Sequence, residues 1–541
     1  MAQRTTKLKQ VLIFLIAVYF SLFFISPVLL THFSLPKNTV NWYVGLYYPD
    51  YFEYLSFVKQ GQMGNFFLKN LFSHEDNQLF IASWWPYPLL GMIWRYLPFL
   101  SLPACYWLAS FILAVIYMVL AFLVIDLVLK DYLFIDKFLA FLFFLTAVGF
   151  YYGQKVVNYS YSLGSGFSRF SLGAPHHQVG HIFFIIGILY LAKNFLVKNW
   201  LKTSLVIFFL SLLLLFSSPP QLLLFWLVYL TTILIFLLKN WRTEKKINFS
   251  KINFIYPAAL VLILIAPILF FYQRSTANLL VINSGKNWDL ANFFYPPLKL
   301  FFLTGGLILL LSFLGLVNYF KKIEPARIIL FLVAFFSIFF SLVPLNFFGK
   351  NLLAFFGFHN LRLASPASYL FYATASIIFL SSFFKTKRIL MTAGFLIFCY
   401  FIAGNLIVWR EAAKTPYQAA YLQFMPEEMY QGLKFLENNQ RKGVVLTSPN
   451  SSLGVVVPAI AGRRVFFGRT IFTLDYDKKQ QLADDFYQQK MTADQAKKFL
   501  QEAGISDIVA TDWEINKEEF ISSYPFLSLK FENSQLLIYA F

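Results

Sequence analysis

Long apolar runs alternate with short polar segments along most of this chain. A helix that crosses a membrane needs about 20 mostly apolar residues. No small-x-small cleavage site follows the first run before Pro36, so we expect a retained membrane anchor there rather than a cleaved signal peptide. The pattern predicts a mainly α, polytopic transmembrane helical bundle of about eleven spans, at residues 10–31, 103–128, 137–152, 178–197, 203–218, 221–238, 253–272, 298–320, 327–345, 366–384 and 389–409.

The composition agrees with a membrane protein, because 58% of the 541 residues are apolar and only 13% are charged. A soluble chain of this length needs more polar surface than that. The net charge of +19 would suit nucleic acid, but the basic residues fall between the apolar runs. We therefore interpret them as membrane-orienting charges and expect no nucleic-acid partner.

The distribution of Lys and Arg predicts the orientation of the chain. Cytoplasmic loops of membrane proteins are enriched in these residues. Every second loop here is basic, whereas the loops at 153–177, 273–297 and 346–364 hold only two Lys or Arg each. We expect a multi-pass protein of the plasma (inner) membrane with a cytoplasmic N-terminus and a C-terminus outside. The basic side comprises Arg4, Lys7, Lys9, Lys130, Lys137, Lys193, Lys198, Lys202, Lys239, Arg242, Lys245, Lys246, Lys251, Lys321, Lys322, Arg327, Lys385, Lys387 and Arg388.

The composition changes near residue 410, which divides the chain into a transmembrane domain, 1–410, and an extracytoplasmic α/β domain, 411–541. The first domain includes a long outer loop, 32–102. In the second, Thr492 and Gln495 have capping-box spacing. Helices are predicted at 426–439, 475–489 and 492–504, strands at 444–446, 465–467 and 508–510, and a hairpin at 527–531 and 536–539. We find no glycine-rich phosphate loop, so this domain is expected to serve recognition or packing.

Acidic residues in the outer loop are the first candidates for chemistry. Asp50 and Glu53 are three residues apart among aromatic residues, so on a helix they would share a face near the membrane interface. A carboxylate in low-dielectric surroundings has a raised pKa and can act as a general base. The alternative is that both merely cap an interfacial helix.

The remaining outer loops contribute cationic and imidazole side chains. Arginine binds phosphate through two parallel hydrogen bonds, so together these residues would suit a negatively charged lipid headgroup. Individually, each would equally serve as an interface anchor. His177 and His181, four apart on a helix, leave a metal site open. The headgroup-binding candidates are Arg169, His176, His177, Arg274, His359 and Arg362.

This layout resembles the GT-C superfamily of membrane glycosyltransferases. The resemblance covers the whole chain in architecture: one span, a long acidic first loop, further spans and an outer C-terminal domain. Locally it rests on Pro49-Asp50-Tyr51-Phe52-Glu53-Tyr54, on Gly166-Phe167-Ser168-Arg169-Phe170 before Pro175, and on Pro458-Ala459, Ala461-Gly462-Arg463-Arg464-Val465 and Gly468 in the tail, which look like uncharacterised bacterial members.

The resemblance implies a hexosyl- or pentosyltransferase that uses a sugar on a polyprenyl phosphate. Asp50 matches the loop-one acid that deprotonates the acceptor hydroxyl for inverting attack, with Glu53 beside it. Arg274, Arg362 and Arg169 would surround the phosphate, and the acceptor would be a glycan, a lipid or a protein. Glu53, Glu75 and Asp76 would bind the acceptor or a divalent cation, Mg or Mn. The spacing Asp-x-x-Glu departs from the Asp-x-Asp or Asp-Glu of some relatives, which leaves metal dependence open.

Two other functions remain open from the residues. A transporter or flippase binds its substrate near mid-membrane on broken helices within internal repeats, but we find no clear repeat and few ionisable groups inside the spans. A non-catalytic protein that binds lipid-linked glycan for assembly would keep the same pocket as a transferase. The sequence therefore does not separate a transferase from a protein that only binds lipid-linked glycan.

Overall fold

The computed structural model describes most of the chain as helices. Described are residues 2–44, 50–75, 84–97, 99–152, 155–156, 165–195, 200–244, 298–343, 346–347, 350–351, 360–384, 386–414, 420–439, 441 and 443–541, with scattered positions between 258 and 268. The helices are α1 Ala2–Leu30, α2 Asp50–Gln62, α3 Pro86–Trp94, α4 Leu102–Val128, α5 Phe134–Thr146, α6 Gly166–Arg169, α7 Pro175–Asn194, α8 Trp200–Ser217, α9 Pro219–Glu244, α10 Leu298–Tyr319, α11 Pro325–Leu342, α12 Ser368–Phe383, α13 Lys387–Lys414, α14 Ala420–Gln423, α15 Glu427–Asn438, α16 Leu453–Ile460, α17 Tyr476–Tyr487, α18 Ala493–Glu502 and α19 Lys517–Ser523.

Strands are short and lie mainly toward the C-terminus. Short 3-10 turns occur at Thr31–Ser34 and Asn360–Leu363. The strands are β1 Thr39–Asn41, β2 Tyr151–Tyr152, β3 Lys155–Val156, β4 Asn346–Phe347, β5 Lys350–Asn351, β6 Phe424–Pro426, β7 Val444–Thr447, β8 Ile505–Thr511, β9 Ser528–Glu532 and β10 Leu536–Ala540.

The predicted membrane architecture is confirmed as a polytopic helical protein. Within the described part of the chain, six helices are long and apolar enough to cross a membrane, and Leu201–Ser217 and Ser368–Phe383 are shorter apolar helices. The span predicted at 137–152 forms only the 13-residue helix α5, because Ala147 leaves the helical conformation and the chain continues to β2, which pairs antiparallel with β3. The span predicted at 253–272 falls largely outside the described residues.

Packing of the Cα atoms groups the chain into two compact units. Unit 1 contains Met1–Pro27 and the described parts of 110–278 and 285–414, and unit 2 contains the described parts of Val28–Ala109 and Thr415–Phe541. The composition places one boundary at residue 410. The packing instead groups the first loop, 32–102, with the C-terminal segment.

Three basic loops of unit 1 are joined by ion pairs. Lys322 contacts Asp131 at 2.6 Å, Lys130 contacts Glu324 at 3.2 Å, and Lys387 contacts Asp136 at 2.9 Å. These loops follow α4, α10 and α12. Their contacts agree with the predicted alternation of spans, which places all three on one side of the bundle.

The C-terminal segment of unit 2 is the predicted α/β domain. Its sheet has the order β7-β8-β10-β9, with β7 and β8 parallel and the other pairs antiparallel. The predicted capping box is present, since Gln495 N donates to Thr492 Oγ1 at 3.3 Å and Thr492 N donates to Gln495 Oε1 at 2.9 Å. The strand predicted at 465–467 makes only isolated bridges, one of them from Phe467 to Ser73.

The first loop is bonded to this domain at several described positions. Strand β1 pairs antiparallel with β6, and Val465 N donates to Leu71 O at 2.9 Å. Lys479, on α17, has a side chain only 7% exposed and donates to Glu75 Oε1 at 2.6 Å and to Ser73 Oγ at 2.9 Å. A buried ammonium is stable only when it is paired in this way, so these bonds tie the loop to the domain.

The Lys479 cluster yields a stability prediction. We expect Lys479→Met to cost about 1–3 kcal/mol and to lower the melting temperature of the detergent-solubilised protein by several degrees, because it leaves the Glu75 carboxylate without its cation. Adding Glu75→Gln should restore part of the loss. Lys498→Met is the control, since Lys498 and Glu502 are 75% and 69% exposed and such surface pairs contribute little. An equal effect of Lys479→Met and Lys498→Met would contradict the assignment.

Candidate functional site

Helix α2 positions the two acids of the first loop. Asp50 begins the helix and Glu53 lies one turn later on the same side. The helix is fixed against α3 by a close backbone approach: a Cβ atom on Gly91 would lie 2.0 Å from Val58 O. Tyr54 stacks on Tyr87 of α3 at a centroid distance of 4.8 Å. The acids therefore stand on a helix whose position is set by packing.

Both acids contact one arginine from the C-terminal domain. Arg469 Nη2 donates to Asp50 Oδ1, and the same nitrogen lies 3.4 Å from Glu53 Oε2. The Asp50 side chain is 40% exposed, whereas those of Glu53 and Arg469 are 3% and 14% exposed. Asp50 is thus the member of the pair that can reach a dissolved or lipid-bound reactant.

The loop that carries Arg469 is fixed against the first loop. Gly468 approaches the backbone so closely that a Cβ atom there would lie 2.5 Å from Gly454 O. The carbonyl oxygen of Arg469 accepts from Phe472 N at 2.9 Å. Phe472 in turn stacks on Phe72 at 5.5 Å, and its carbonyl accepts from Asn70 Nδ2 at 2.7 Å. These contacts hold the arginine in place before any ligand arrives.

The burial of Glu53 changes its chemistry. Burial raises the pKa of Glu53 to about 8, the positive charge of Arg469 opposes this rise, and the Asp50 carboxylate adds to it. Its Oε2 is buried and makes no hydrogen bond to any described residue. At neutral pH, Glu53 is therefore a protonated neighbour of Asp50 rather than a second free carboxylate.

The described residues do not fit a divalent cation. They contain no group of three or more His, Cys, Asp or Glu side chains arranged as a metal site. Glu75 is bonded to Lys479 and to Ser73. Burial alone would raise the pKa of Glu75, but the hydrogen bonds from Lys479 and Ser73 hold it below the usual range. Asp76 lies outside the described residues.

Arg169, a predicted phosphate ligand, caps a helix in unit 1. Its side chain is fully buried, and its guanidinium donates to the carbonyl oxygens of Phe144 and Ala147 at the end of α5. It also lies over the Tyr369 ring, 3.9 Å from the centroid. The last carbonyls of a helix lack intrahelical partners, and Arg169 satisfies two of them.

A second cluster in unit 1 gathers two predicted histidines and an arginine. His176 and His177 follow Pro175 at the start of α7, with their ring centroids 4.0 Å apart. Arg362 interacts electrostatically with both imidazoles. Ser365, three residues after Arg362, donates to Gln221 Oε1 at 2.9 Å, which fixes this turn. The predicted residues Arg274 and His359 lie outside the described part of the chain.

Sequence reasoning did not single out Arg469 or Lys479. Arg469 directly follows Gly468 and interrupts an apolar stretch, Val465-Phe466-Phe467 before it and Ile471-Phe472 after it. A charge next to a glycine in such a stretch is a usable signal for a buried ion pair. Nothing in the local sequence indicates that its partner is Asp50, 419 residues away.

Comparison with known proteins identifies the fold. No protein-family profile and no characterised protein sequence is detectably similar to this chain. Among solved structures, it is similar to archaeal oligosaccharyltransferase AglB from Archaeoglobus fulgidus in complex with an inhibitory peptide and a dolichol-phosphate, at 12% identity and a TM-score of 0.50, over 94% of this chain and 70% of that chain.

Two further structures of the Archaeoglobus fulgidus enzyme are similar. One is tethered to an acceptor peptide containing the NVT sequon (11% identity, TM-score 0.49, 93% of this chain and 69% of that one). The other is a complex with Zn and sulfate (11%, TM-score 0.49, 92% and 68%). The predicted architecture, a polytopic helical domain followed by a C-terminal domain with some sheet, is thus a fold that the chain shares with this archaeal oligosaccharyltransferase.

Proposed function

We propose that this protein is a membrane glycosyltransferase that moves a sugar from a polyprenyl-phosphate donor to an acceptor hydroxyl on the extracytoplasmic face. The observation that carries the proposal is the partly exposed Asp50 carboxylate, oriented by Arg469 on a chain with this fold. AglB, whose fold the chain shares, was solved with a dolichol-phosphate and a peptide. A polyprenyl-phosphate donor is of the same chemical class.

Asp50 is the proposed general base. It removes the proton of the acceptor hydroxyl, the oxygen attacks the anomeric carbon, the bond from that carbon to the phosphate oxygen breaks, and the configuration inverts. Glu53 is too deeply buried to reach the acceptor, so we assign it a supporting role through its packing beside Arg469. Because the Asp50 carboxylate is already fixed in position, little reorganisation is needed before attack.

The proposed partners of the donor phosphate are Arg274 and Arg362, together with His176, His177 and His359. The leaving phosphate develops negative charge in the transition state, and fixed positive groups stabilise it. Arg169 is assigned a structural role instead, since its donors are directed at the backbone of α5. The acceptor is a glycan, a lipid or a protein.

The first test replaces the base. We expect Asp50→Asn to lower turnover by about 100-fold or more, the usual effect of losing a general base, in vesicles supplied with a panel of polyprenyl-phosphate sugars. Binding of the donor should persist, which separates a transferase from a protein that only binds lipid-linked glycan. Asp477→Asn, an exposed acid in the same unit, is the control. Turnover equal to that of the unchanged protein would remove Asp50 from the mechanism.

The second test addresses the phosphate. Arg274→Ala and Arg362→Ala should each weaken binding of polyprenyl phosphate by about tenfold or more, because each removes a charge-assisted hydrogen bond. Binding is measured by titrating the lipid against intrinsic tryptophan fluorescence. Arg388→Ala, at an exposed arginine of a basic loop, should leave affinity unchanged. If neither variant binds more weakly, the phosphate site lies elsewhere.

The third test concerns the proton on Glu53. Because its pKa is raised from 4.5 to about 8, the folded protein holds a proton between these values that the unfolded chain releases, so the stability contributed by this group falls as pH rises through this window. Glu53→Gln cannot titrate. Its melting temperature should therefore fall less than that of the unchanged protein between about pH 5 and 8. Glu502→Gln is the exposed control, and parallel curves for Glu53→Gln and the unchanged protein would argue against the buried proton.

A further inference from the structure

One nitrogen atom bridges the two acids of helix α2. Arg469 Nη2 bonds Asp50 Oδ1 and lies 3.4 Å from Glu53 Oε2. It thus stands between two carboxyl groups on one helix face, the place where a metal ion shared by both would bind. Divalent cations prefer several oxygen ligands of this kind. In this chain the oxygens face a guanidinium.

We propose that Arg469 is a built-in replacement for a divalent cation at this acid pair, so that the pair binds no metal ion while the arginine is present. The inference concerns the same site as the proposed transfer reaction. Its test has two parts: a measurement of transfer activity, which rests on the proposed function, and a measurement of metal binding, which does not.

Charge is the first argument. A guanidinium remains protonated in proteins, and a dication entering beside it would meet a like charge in a poorly solvated site. Coulomb repulsion at contact distance is strong where the effective dielectric constant is low. Glu53 and Arg469 are 3% and 14% exposed, so water screens little of this repulsion.

Rigidity is the second argument. The arginine would have to leave before a metal could use both carboxyl groups, and its backbone cannot shift easily. Thr473 N and Phe472 N both donate to Arg469 O, at 2.8 and 2.9 Å. Thr473 Oγ1 then donates to Phe72 O at 2.6 Å. The turn that presents the guanidinium is bonded to the same loop that presents the acids.

A second acid of the first loop is also paired with a basic side chain of the C-terminal segment. Glu75, the other described acid that the resemblance offers to a cation, contacts Lys479 at 2.6 Å. In both places a basic side chain of the C-terminal segment neutralises an acid of the first loop. The domain thus contributes its own cations to this loop.

The binding arm compares Mn²⁺ binding by the full-length protein and by Arg469→Met, in detergent, using the electron paramagnetic resonance signal of free Mn²⁺ together with melting temperatures. Substitution of Arg469 removes the guanidinium that bridges the two carboxyl groups. We expect Arg469→Met to bind Mn²⁺ at least about tenfold more tightly than the unchanged protein, and to gain melting temperature on adding Mn²⁺. Adding Asp50→Asn should abolish this gain.

Two further variants make the binding arm specific. Arg469→Gln also lacks the charge but keeps polar hydrogen-bonding capacity, and it should behave like Arg469→Met if the latter folds poorly. Arg463→Met is the matched control: Arg463 pairs with Asp507 at 2.8 Å, with side chains 11% and 1% exposed, so its removal bares one acid rather than two. Arg463→Met should gain no Mn²⁺ binding.

The outcomes separate cleanly. Mn²⁺ binding by the unchanged protein that Asp50→Asn removes would overturn the inference, as would equal Mn²⁺ affinity in the unchanged protein and both Arg469 variants. In the activity arm, transfer should continue in excess EDTA. Transfer that EDTA stops and Mn²⁺ restores would overturn the inference and leave the proposed function standing. If the Arg469 variants bind Mn²⁺ more tightly but the unchanged protein transfers no sugar from any donor, the inference stands and the proposed function is overturned.

Discussion

Pairing of buried charges between two distant parts of the chain underlies the architecture of unit 2. A charged side chain removed from water is costly unless an opposite charge and hydrogen bonds compensate it. The C-terminal segment buries Arg469 and Lys479, whose side chains are 14% and 7% exposed, and the first loop supplies Asp50 and Glu75, which are 40% and 24% exposed. Neither cation would be stable in its buried position without its acid. The loop and the domain therefore form one compact unit although they lie far apart in the sequence.

The geometry of the acid pair is determined partly by local structure and partly by a distant residue. The helix α2 sets the spacing of Asp50 and Glu53, and its close approach to α3 fixes its position. The distant arginine then sets the direction of the Asp50 carboxylate. The exposures differ within the pair, 40% against 3%, so one carboxyl group faces outward while the other is buried. A single helical turn thus places two acids in different environments.

The parts of the structure that depend on local pattern could be predicted from the sequence. Apolar periodicity gave the helices, and the capping box at Thr492 was visible as a spacing of three residues. The shared face of Asp50 and Glu53 also follows from helical geometry. The pairing of Arg469 and Lys479 with their acids could not be found in this way, because the partners lie more than 400 residues away. For Arg169, the residue types predict a phosphate ligand, but they do not indicate its two backbone acceptors, Phe144 O and Ala147 O.

The distance in sequence between Asp50 and Arg469 also orders events during synthesis. Arg469 follows Asp50 by 419 residues, so the counter-charge does not exist until long after the ribosome has delivered helix α2. Throughout that interval the nascent polypeptide holds its acids without their cation. Assembly of the acid pair with its arginine therefore requires translation as far as residue 469, and a chain stalled before Gly468 has no assembled centre.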